Sequence, residues 1–552
     1  MRRAGILMPV TALPSPWGVG TLGAAARAFV DFLADAGQSI WQLLPIGPTS
    51  YGDSPYQSFS SFAGNPYLID LDDLRDEGLL EAHGYEGVTW GSDPARVDYG
   101  ALYAGRYPVL RHAVARLVAT RPEDFAAFCG REQAWLDDYA LFMAIKDAHG
   151  GAPLSAWEEP LRLREPAALE AARAELADEV QFWKGVQCLF FAQWERLHAY
   201  AALRGVELMG DLPIYVAEDS VDLWAHPEQF QLDEHLRPRE VAGCPPDGFS
   251  DTGQLWGNPL FAWDRMAQDG YAWWIARISY QLDLYDILRI DHFRGFDSYY
   301  AIPAGSTTAA GGCWLPGPGR AFFDAVEAQL GRCPIVAEDL GFLTPSVHRL
   351  LADTGFPGMK VLQFAFDSRD GGGSAYLPHN YAPHCVAYVG THDNDTALGW
   401  LETADADDVA LAREYLHPDA TEGEGWSMMR AIWGSVAECA IVTMQDVLGL
   451  GSDARINTPS TVGGNWCWRA LPGAMTDELA ARLHRYMELF GRLPEEADES
   501  DAEDAGAAGG AAACAGAAPG EGMADAGAAA LATDAGAAAA SPDEHDEELM
   551  SA

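Results

Sequence analysis

Short apolar runs rich in β-branched residues recur along the chain, and most stop abruptly at a polar residue, Gly or Pro. Eight stand out: Gly5 to Val10, Ile40 to Ile46, Val206 to Met209, Ile287 to Ile290, Pro334 to Ala337, Lys360 to Phe366, Cys385 to Val389 and Ala454 to Ile456. Between several of them apolar residues fall three and four apart, as in Ala26 to Leu33, Phe322 to Leu330 and Val436 to Val447, which is the spacing of one helical face. Strands that alternate with helices imply a parallel sheet, because a helix returns the chain to the end where the next strand must begin. Eight such strands predict an α/β fold of the (β/α)8 TIM-barrel type.

The spacing of the runs is uneven. Roughly 160 residues separate the second from the third, too many for a loop in a compact fold. Helical periodicity over Phe125 to His149 and Pro166 to Leu203 predicts a mostly helical insertion at about 50–200. A second insertion, irregular and rich in Gly and Pro, is expected at about 212–275. From about Glu495 to Ala552 the composition collapses to Ala, Gly, Asp and Glu, with no aromatic residue and no Lys or Arg. Such a stretch cannot bury enough apolar surface to offset the entropy of ordering, so a catalytic body over residues 1–494 is expected to carry a disordered acidic tail at 495–552.

Composition narrows the function. Over 552 residues, 49% apolar and 21% charged side chains fit a folded soluble enzyme and exclude a fibrous or wholly disordered chain. Nowhere do 18 apolar residues run together, and Pro9 breaks the apolar start, so neither a membrane span nor a signal peptide is expected. Acids outnumber bases 81 to 35, for a formal charge of −46. A surface that negative repels polyphosphate, and nucleic acid is excluded as a partner. The nine cysteines are scattered and read as reduced thiols of a cytoplasmic protein, with neither a disulfide framework nor a zinc site.

In a barrel of this kind functional groups project from the carboxyl ends of the strands, where the following loops converge. The residues just past the apolar runs are Asp211, Asp291, Glu338, the pair His392 and Asp393, and Asn457. A single acid in such a place is as readily a helix cap. Four on one rim, with Arg289 two residues before Asp291, His292 directly after it and His392 directly before Asp393, are hard to explain as caps. Clustered carboxylates serve metal-assisted hydrolysis or glycosyl transfer. Asp393 and Asp395 beside His392 imitate the first. The aromatic inventory favours the second: 18 Trp and 20 Tyr, several in polar loops, as at Trp17, Tyr51, Tyr56, Trp256, Trp314, Trp466 and Trp468. Flat rings among Asn, Gln, Asp and His match the apolar face and hydroxyl belt of a sugar. One decoy is Gly18-Val19-Gly20-Thr21-Leu22-Gly23, which has the form of a dinucleotide fingerprint. The second strand lacks the acid that would hold a ribose, so a tight strand-to-helix turn is expected instead.

Arg289-Ile290-Asp291-His292-Phe293-Arg294-Gly295, Val336-Ala337-Glu338-Asp339-Leu340-Gly341 and Gly390-Thr391-His392-Asp393-Asn394-Asp395 resemble, in order and spacing, the three catalytic segments of the 4-alpha-glucanotransferases, also called amylomaltases. Ser54-Pro55-Tyr56-Gln57-Ser58, Gly210-Asp211-Leu212-Pro213-Ile214, Pro245-Pro246-Asp247, Gly253-Gln254-Leu255-Trp256-Gly257-Asn258-Pro259 and Asn457-Thr458-Pro459 extend the likeness over roughly residues 5–493. The resemblance implies a retaining double displacement that moves α-1,4-glucan segments from a maltodextrin to the 4-hydroxyl of glucose or another maltodextrin. By position it makes Asp291 the nucleophile, Glu338 the acid/base and Asp393 the stabiliser of the transition state. Asp211, Arg289, His292 and His392 become contacts to the donor sugar and Tyr56 its stacking platform. Gln254 and Trp256 fall in a loop that covers the acceptor side of the cleft, and Asn457 in a loop facing it. No metal or organic cofactor is implied. Cys244, Gly248 and Cys467 depart from what that family would lead one to expect, which leaves acceptor preference open. A retaining glucan hydrolase and a non-catalytic glucan-binding barrel are the competing readings.

Overall fold

The computed structural model describes residues 2–246, 252–341, 343–368 and 373–494. The acidic tail at 495–552, and Asp247 and Gly248, lie outside the described residues. In chain order the strands are β1 (Arg3–Leu7), β2 (Ile40–Gln42), β3 (Glu207–Leu212), β4 (Glu240–Cys244), β5 (Gln254–Pro259), β6 (Ile287–Ile290), β7 (Ser298–Pro303), β8 (Cys313–Pro316), β9 (Ile335–Ala337), β10 (Gly358–Val361), β11 (Cys385–Tyr388) and β12 (Cys439–Thr443).

Eight of them form one parallel sheet in the order β10-β11-β12-β1-β2-β3-β6-β9. The two ends meet without a regular ladder. Ala337 N–H donates to the Pro357 carbonyl at 3.0 Å, and the Asp339 carboxylate accepts the Met359 N–H at 2.6 Å. Gly358 makes that approach feasible, since a Cβ there would fall 2.6 Å from the Asp339 carboxylate oxygens. The ring thus closed is a (β/α)8 barrel. Leu7, Ile40, Met209, Val336, Met359 and Ile441 pack as one buried cluster along its strands. The opposite faces of the strands, such as Ile6, Trp41, Leu208 and Leu288, join the larger core beneath the helices. Burial on both faces is why these strands read as continuous apolar runs.

Two expected strands differ: of Lys360 to Phe366 only Lys360 and Val361 lie on a strand, β10, and Leu362–Ala365 is a 3-10 turn. Ala454 to Ile456 is not a strand; Ser452–Ala454 is a single 3-10 turn, and the chain beyond it runs as a loop. The eighth strand is β12, inside the stretch whose spacing predicts a helix over Val436 to Val447, and only Met444–Val447 is helical there. A parallel strand buried on both faces shows no period-2 alternation, so its apolar residues also satisfy a helical spacing.

Between β2 and β3 the chain forms the helices Tyr99–Thr120, Pro122–Arg131, Gln133–Ala148, Pro166–Glu175 and Ala177–Leu203. Asp98 caps the first through the Ala101 N–H at 2.9 Å, and Pro122 and Pro166 open two others at the first-turn position where a missing N–H costs nothing. Gln187 and Gln193 on the last helix fasten the backbone of Gly64 and Asp70 to it. The second insertion is more regular than its composition predicts. It supplies β4 and β5, which join β7 and β8 in a separate antiparallel sheet of order β5-β4-β7-β8. Two of those strands come only after β6, so their pairing is a long-range fact that local pattern does not carry. Among the described residues no helix is long and apolar enough to cross a membrane.

Candidate active site

Register decides where the acids stand. In the ladder of β3 with β6, Asp211 pairs with Arg289, and in that of β6 with β9, Ile290 pairs with Ala337. Asp291 and Glu338 are the next residues on each strand and lie opposite one another. Their backbones continue the ladder: Asp291 N–H donates to the Leu212 carbonyl and Glu338 N–H to the Ile290 carbonyl, each at 3.0 Å. Neighbouring strands are about 4.8 Å apart, so the two carboxyl groups leave the same edge of the barrel side by side.

Arg289 organises this side of the rim. Its guanidinium donates from Nη1 to both oxygens of Asp211, at 2.6 and 2.7 Å, and Nη2 lies 3.0 Å from Asp291. The side chains of Arg289 and Asp211 are 4% and 0% exposed, so this pair is screened from water and holds a fixed geometry. Burial works against the guanidinium charge, but the two carboxylates outweigh it and hold its pKa well above the usual value.

Glu338 sits differently. Its carboxylate accepts the His292 N–H at 2.7 Å and the Leu340 N–H at 2.8 Å. Burial, and then the charge of Asp291, push its pKa up to about 7, against the pull of Arg289 and of the two amides. His292 gives up its amide only by taking a left-handed backbone, φ +49°, which a non-glycine residue adopts at a cost of roughly 1–3 kcal/mol. The residue is half-buried, its Nε2 is buried with no hydrogen-bond partner, and desolvation lowers its pKa to about 4, which keeps it neutral.

On the opposite side Asp393 stands in the loop after β11. Thr391 and Asn394 close that loop through the Asn394 Oδ1, which accepts the Thr391 N–H at 2.9 Å and hydroxyl at 3.0 Å. Asn457 Nδ2 donates to Asp393 Oδ1 at 2.6 Å, and Arg455 Nη2 donates to the Asp393 carbonyl at 2.6 Å. Between the two sides Tyr56 donates its hydroxyl to Asp211 at 2.9 Å and stacks on the His392 ring, with centroids 5.1 Å apart and planes at 18°. His392 Nε2 lies 3.4 Å from Asp393, so Tyr56 and His392 bridge the two groups of carboxylates.

Above the rim, on β5, Trp256 meets His292 edge to face at 4.8 Å, and Gln254 accepts the Trp256 indole N–H at 3.0 Å. The three carboxylates expected to be catalytic, and Tyr56, Asp211, Gln254, Trp256, Arg289, His292, His392 and Asn457, therefore belong to one constellation. Sequence reasoning missed Arg455; Trp466, expected only as one of the loop aromatics, packs at the rim 5.9 Å from Tyr56 and 6.1 Å from His392. Their signal was adjacency to Asn457 and a place in an aromatic loop. Other aromatics are packing anchors: Trp17 contacts Tyr85 and Trp90 and donates to Asp72, and Trp468 is buried in the core. Asp395, which imitated a metal ligand, accepts the Ser452 hydroxyl at 2.7 Å and the Thr396 N–H at 2.8 Å.

The family model of the 4-alpha-glucanotransferases matches residues 8–474. The chain belongs to the 4-alpha-glucanotransferase family. It is 50% identical over 503 residues to the 4-alpha-glucanotransferase of Thermus thermophilus, covering 89% of this chain and 99% of that one. Against that of Clostridium butyricum it is 46% identical over 489 residues, 88% of this chain and 100% of the other. The amylomaltase of Streptococcus agalactiae, solved in complex with acarbose, superposes with a TM-score of 0.87 at 41% identity, over 90% of this chain and 100% of that one. The chain is accordingly an enzyme that transfers α-1,4-glucan segments, by the retaining route general to that family.

Proposed function

We propose that Asp291 attacks the anomeric carbon of the donor sugar while Glu338 gives its proton to the departing glycosidic oxygen. The C1–O bond breaks, a C1–Asp291 ester forms, and Glu338 is left as the carboxylate. An acceptor 4-hydroxyl then attacks C1, Glu338 takes back the proton, and Asp291 leaves as the carboxylate. The observation that carries this reading is the opposition of Asp291 and Glu338 on adjacent strands. A strand spacing of about 4.8 Å supports the short separation of about 5–5.5 Å used by retaining pairs rather than the 6.5–9.5 Å of inverting ones. Their environments support the division of labour. Asp291 lies 3.0 Å from the Arg289 guanidinium, whereas Glu338, with its pKa pushed up to about 7, keeps its proton near neutrality.

Asp393, fixed by Asn457, is the third carboxylate, which takes hydroxyls of the donor sugar and steadies the transition state. Asp211, Arg289, His292 and His392 hold the same sugar, and Tyr56 is its stacking platform. A neutral His292 with a free Nε2 is suited to a sugar hydroxyl. Gln254 and Trp256 serve the acceptor. The catalytic unit is residues 1–494, with the acidic tail dispensable for turnover, and the enzyme works in the cytoplasm on glucans and glucose, without nucleic acid as a partner.

Incubation with maltotriose tests the reaction: glucose with a ladder of longer maltodextrins is expected, and reducing ends that rise steadily would instead mean hydrolysis. For the roles, Glu338→Gln should accumulate a glycosyl adduct from α-glucosyl fluoride, located on Asp291 by peptide mapping. An adduct on Glu338 in the Asp291→Asn variant would reverse the assignment.

A further inference from the structure

β5 carries Gln254, Trp256 and, two residues on, Asn258, whose side chain is buried and reaches out of its own sheet. Its Nδ2 donates to the Val216 carbonyl at 2.8 Å, and its Oδ1 accepts from Gln57 Nε2 at 3.3 Å. Val216 lies on the segment that follows Asp211, and Gln57 is next to Tyr56. One amide thus ties the strand of the acceptor side to both segments that hold the donor sugar.

Those two segments have supports of their own. Arg277, buried on the helix Ala272–Leu284, donates to the carbonyls of Pro213 and Ile214 at 2.8 and 3.2 Å. Ser61, beyond Tyr56, is gripped at its carbonyl by Gln281 at 3.0 Å and at its N–H by Asp222 at 2.8 Å. β5 is held less continuously, because its register with β4 shifts between Val241 and Gly243. Loss of the Asn258 amide should loosen the acceptor strand while the donor segments stay seated.

We propose that Asn258 is a positioning residue that fixes β5 against the donor subsite and so sets how the glycosyl-enzyme divides between a sugar hydroxyl and water. The inference rests on the reading of Gln254 and Trp256 as acceptor contacts. In either branch the C1–Asp291 bond breaks, the entering O–H gives its proton to Glu338, and Asp291 departs as the carboxylate. The branches differ only in which O–H stands at C1, and that is a matter of placement.

The full chain is assayed with maltotriose as donor and labelled glucose as acceptor, scoring labelled oligosaccharide against new reducing ends. Asn258→Ala should raise the ratio of hydrolysis to transfer about tenfold and raise KM for glucose, with consumption of α-glucosyl fluoride changed by no more than about twofold. Gln57→Ala, which cuts one arm of the link, should move the ratio the same way by less, and the double variant should be no worse than Asn258→Ala. Equal loss of both branches with an unchanged ratio would mean a merely structural part and would overturn the inference. Should Asn258→Ala fail to fold, Gln57→Ala decides, an unchanged ratio again being fatal. Wild-type protein that labels no oligosaccharide would bring down the acceptor reading, and this inference with it.

Discussion

The two sides of the rim hold their carboxylates by different means. Asp211, Asp291 and Glu338 issue from three adjacent strands, and main-chain register places them before any side chain contributes. Asp393 stands on a loop and is aimed by Asn457 from another loop, with its side chain 48% exposed. The division suits the proposed roles: bond making and proton transfer would demand fixed distances, which strands supply, whereas a group that grips hydroxyls could be adjusted as sugar arrives, which a loop permits.

If that contrast is right, damage on the strand side should be severe and felt in kcat. Asp291→Asn removes the proposed nucleophile and should lower kcat by about 10⁴-fold or more, measured as glucose released from maltotriose, with KM little changed. Arg289→Lys keeps the charge but cannot fork between Asp211 and Asp291, and a loss of about 10²–10³-fold is expected in kcat/KM. A loss under threefold would show that the guanidinium geometry is immaterial. On the loop side, Asn457→Ala should cost only about tenfold and should appear largely in KM for the donor. An effect as large as that of Arg289→Lys would erase the distinction between the two sides.

How far each side could be read from sequence follows the same division. Asp291 and Glu338 end short apolar runs, so the barrel rule locates them from the chain alone. For Asn457 only the family motif was a sound guide: Ala454 to Ile456 is the end of a 3-10 turn and a loop, beyond the true eighth strand, Cys439–Thr443. Arg455 acts through a contact to the Asp393 carbonyl, and nothing local announces a partner 62 residues away. The sheet that carries Trp256 was illegible because β4 pairs with β7 across the whole of β6, and the Gly-rich segments between lack alternation.

The smallest effect expected concerns pH. In the proposed mechanism Glu338 starts the reaction protonated, so kcat/KM should fall as pH rises through about 7. The same shift has a stability sign. Because the folded pKa lies above the unfolded value near 4.5, the folded chain binds the extra proton between the two, and stability drops as pH climbs from about 4.5 to about 7. Above that window Glu338→Gln, which cannot ionise, should melt about 1–3 °C higher than wild type, while below pH 4.5 the two should coincide. A variant that melts lower at pH 8 would mean that the carboxylate is stabilised where it sits.

The join between β9 and β10 adds a consequence of its own. There the ring is stitched by Ala337 to Pro357 and by Asp339 to Met359, next door to Glu338. Heat parts a closed wall where its stitching is sparsest. The Glu338 segment is therefore expected to loosen before the rest of the wall, so that on warming activity should be lost at a lower temperature than the circular-dichroism signal.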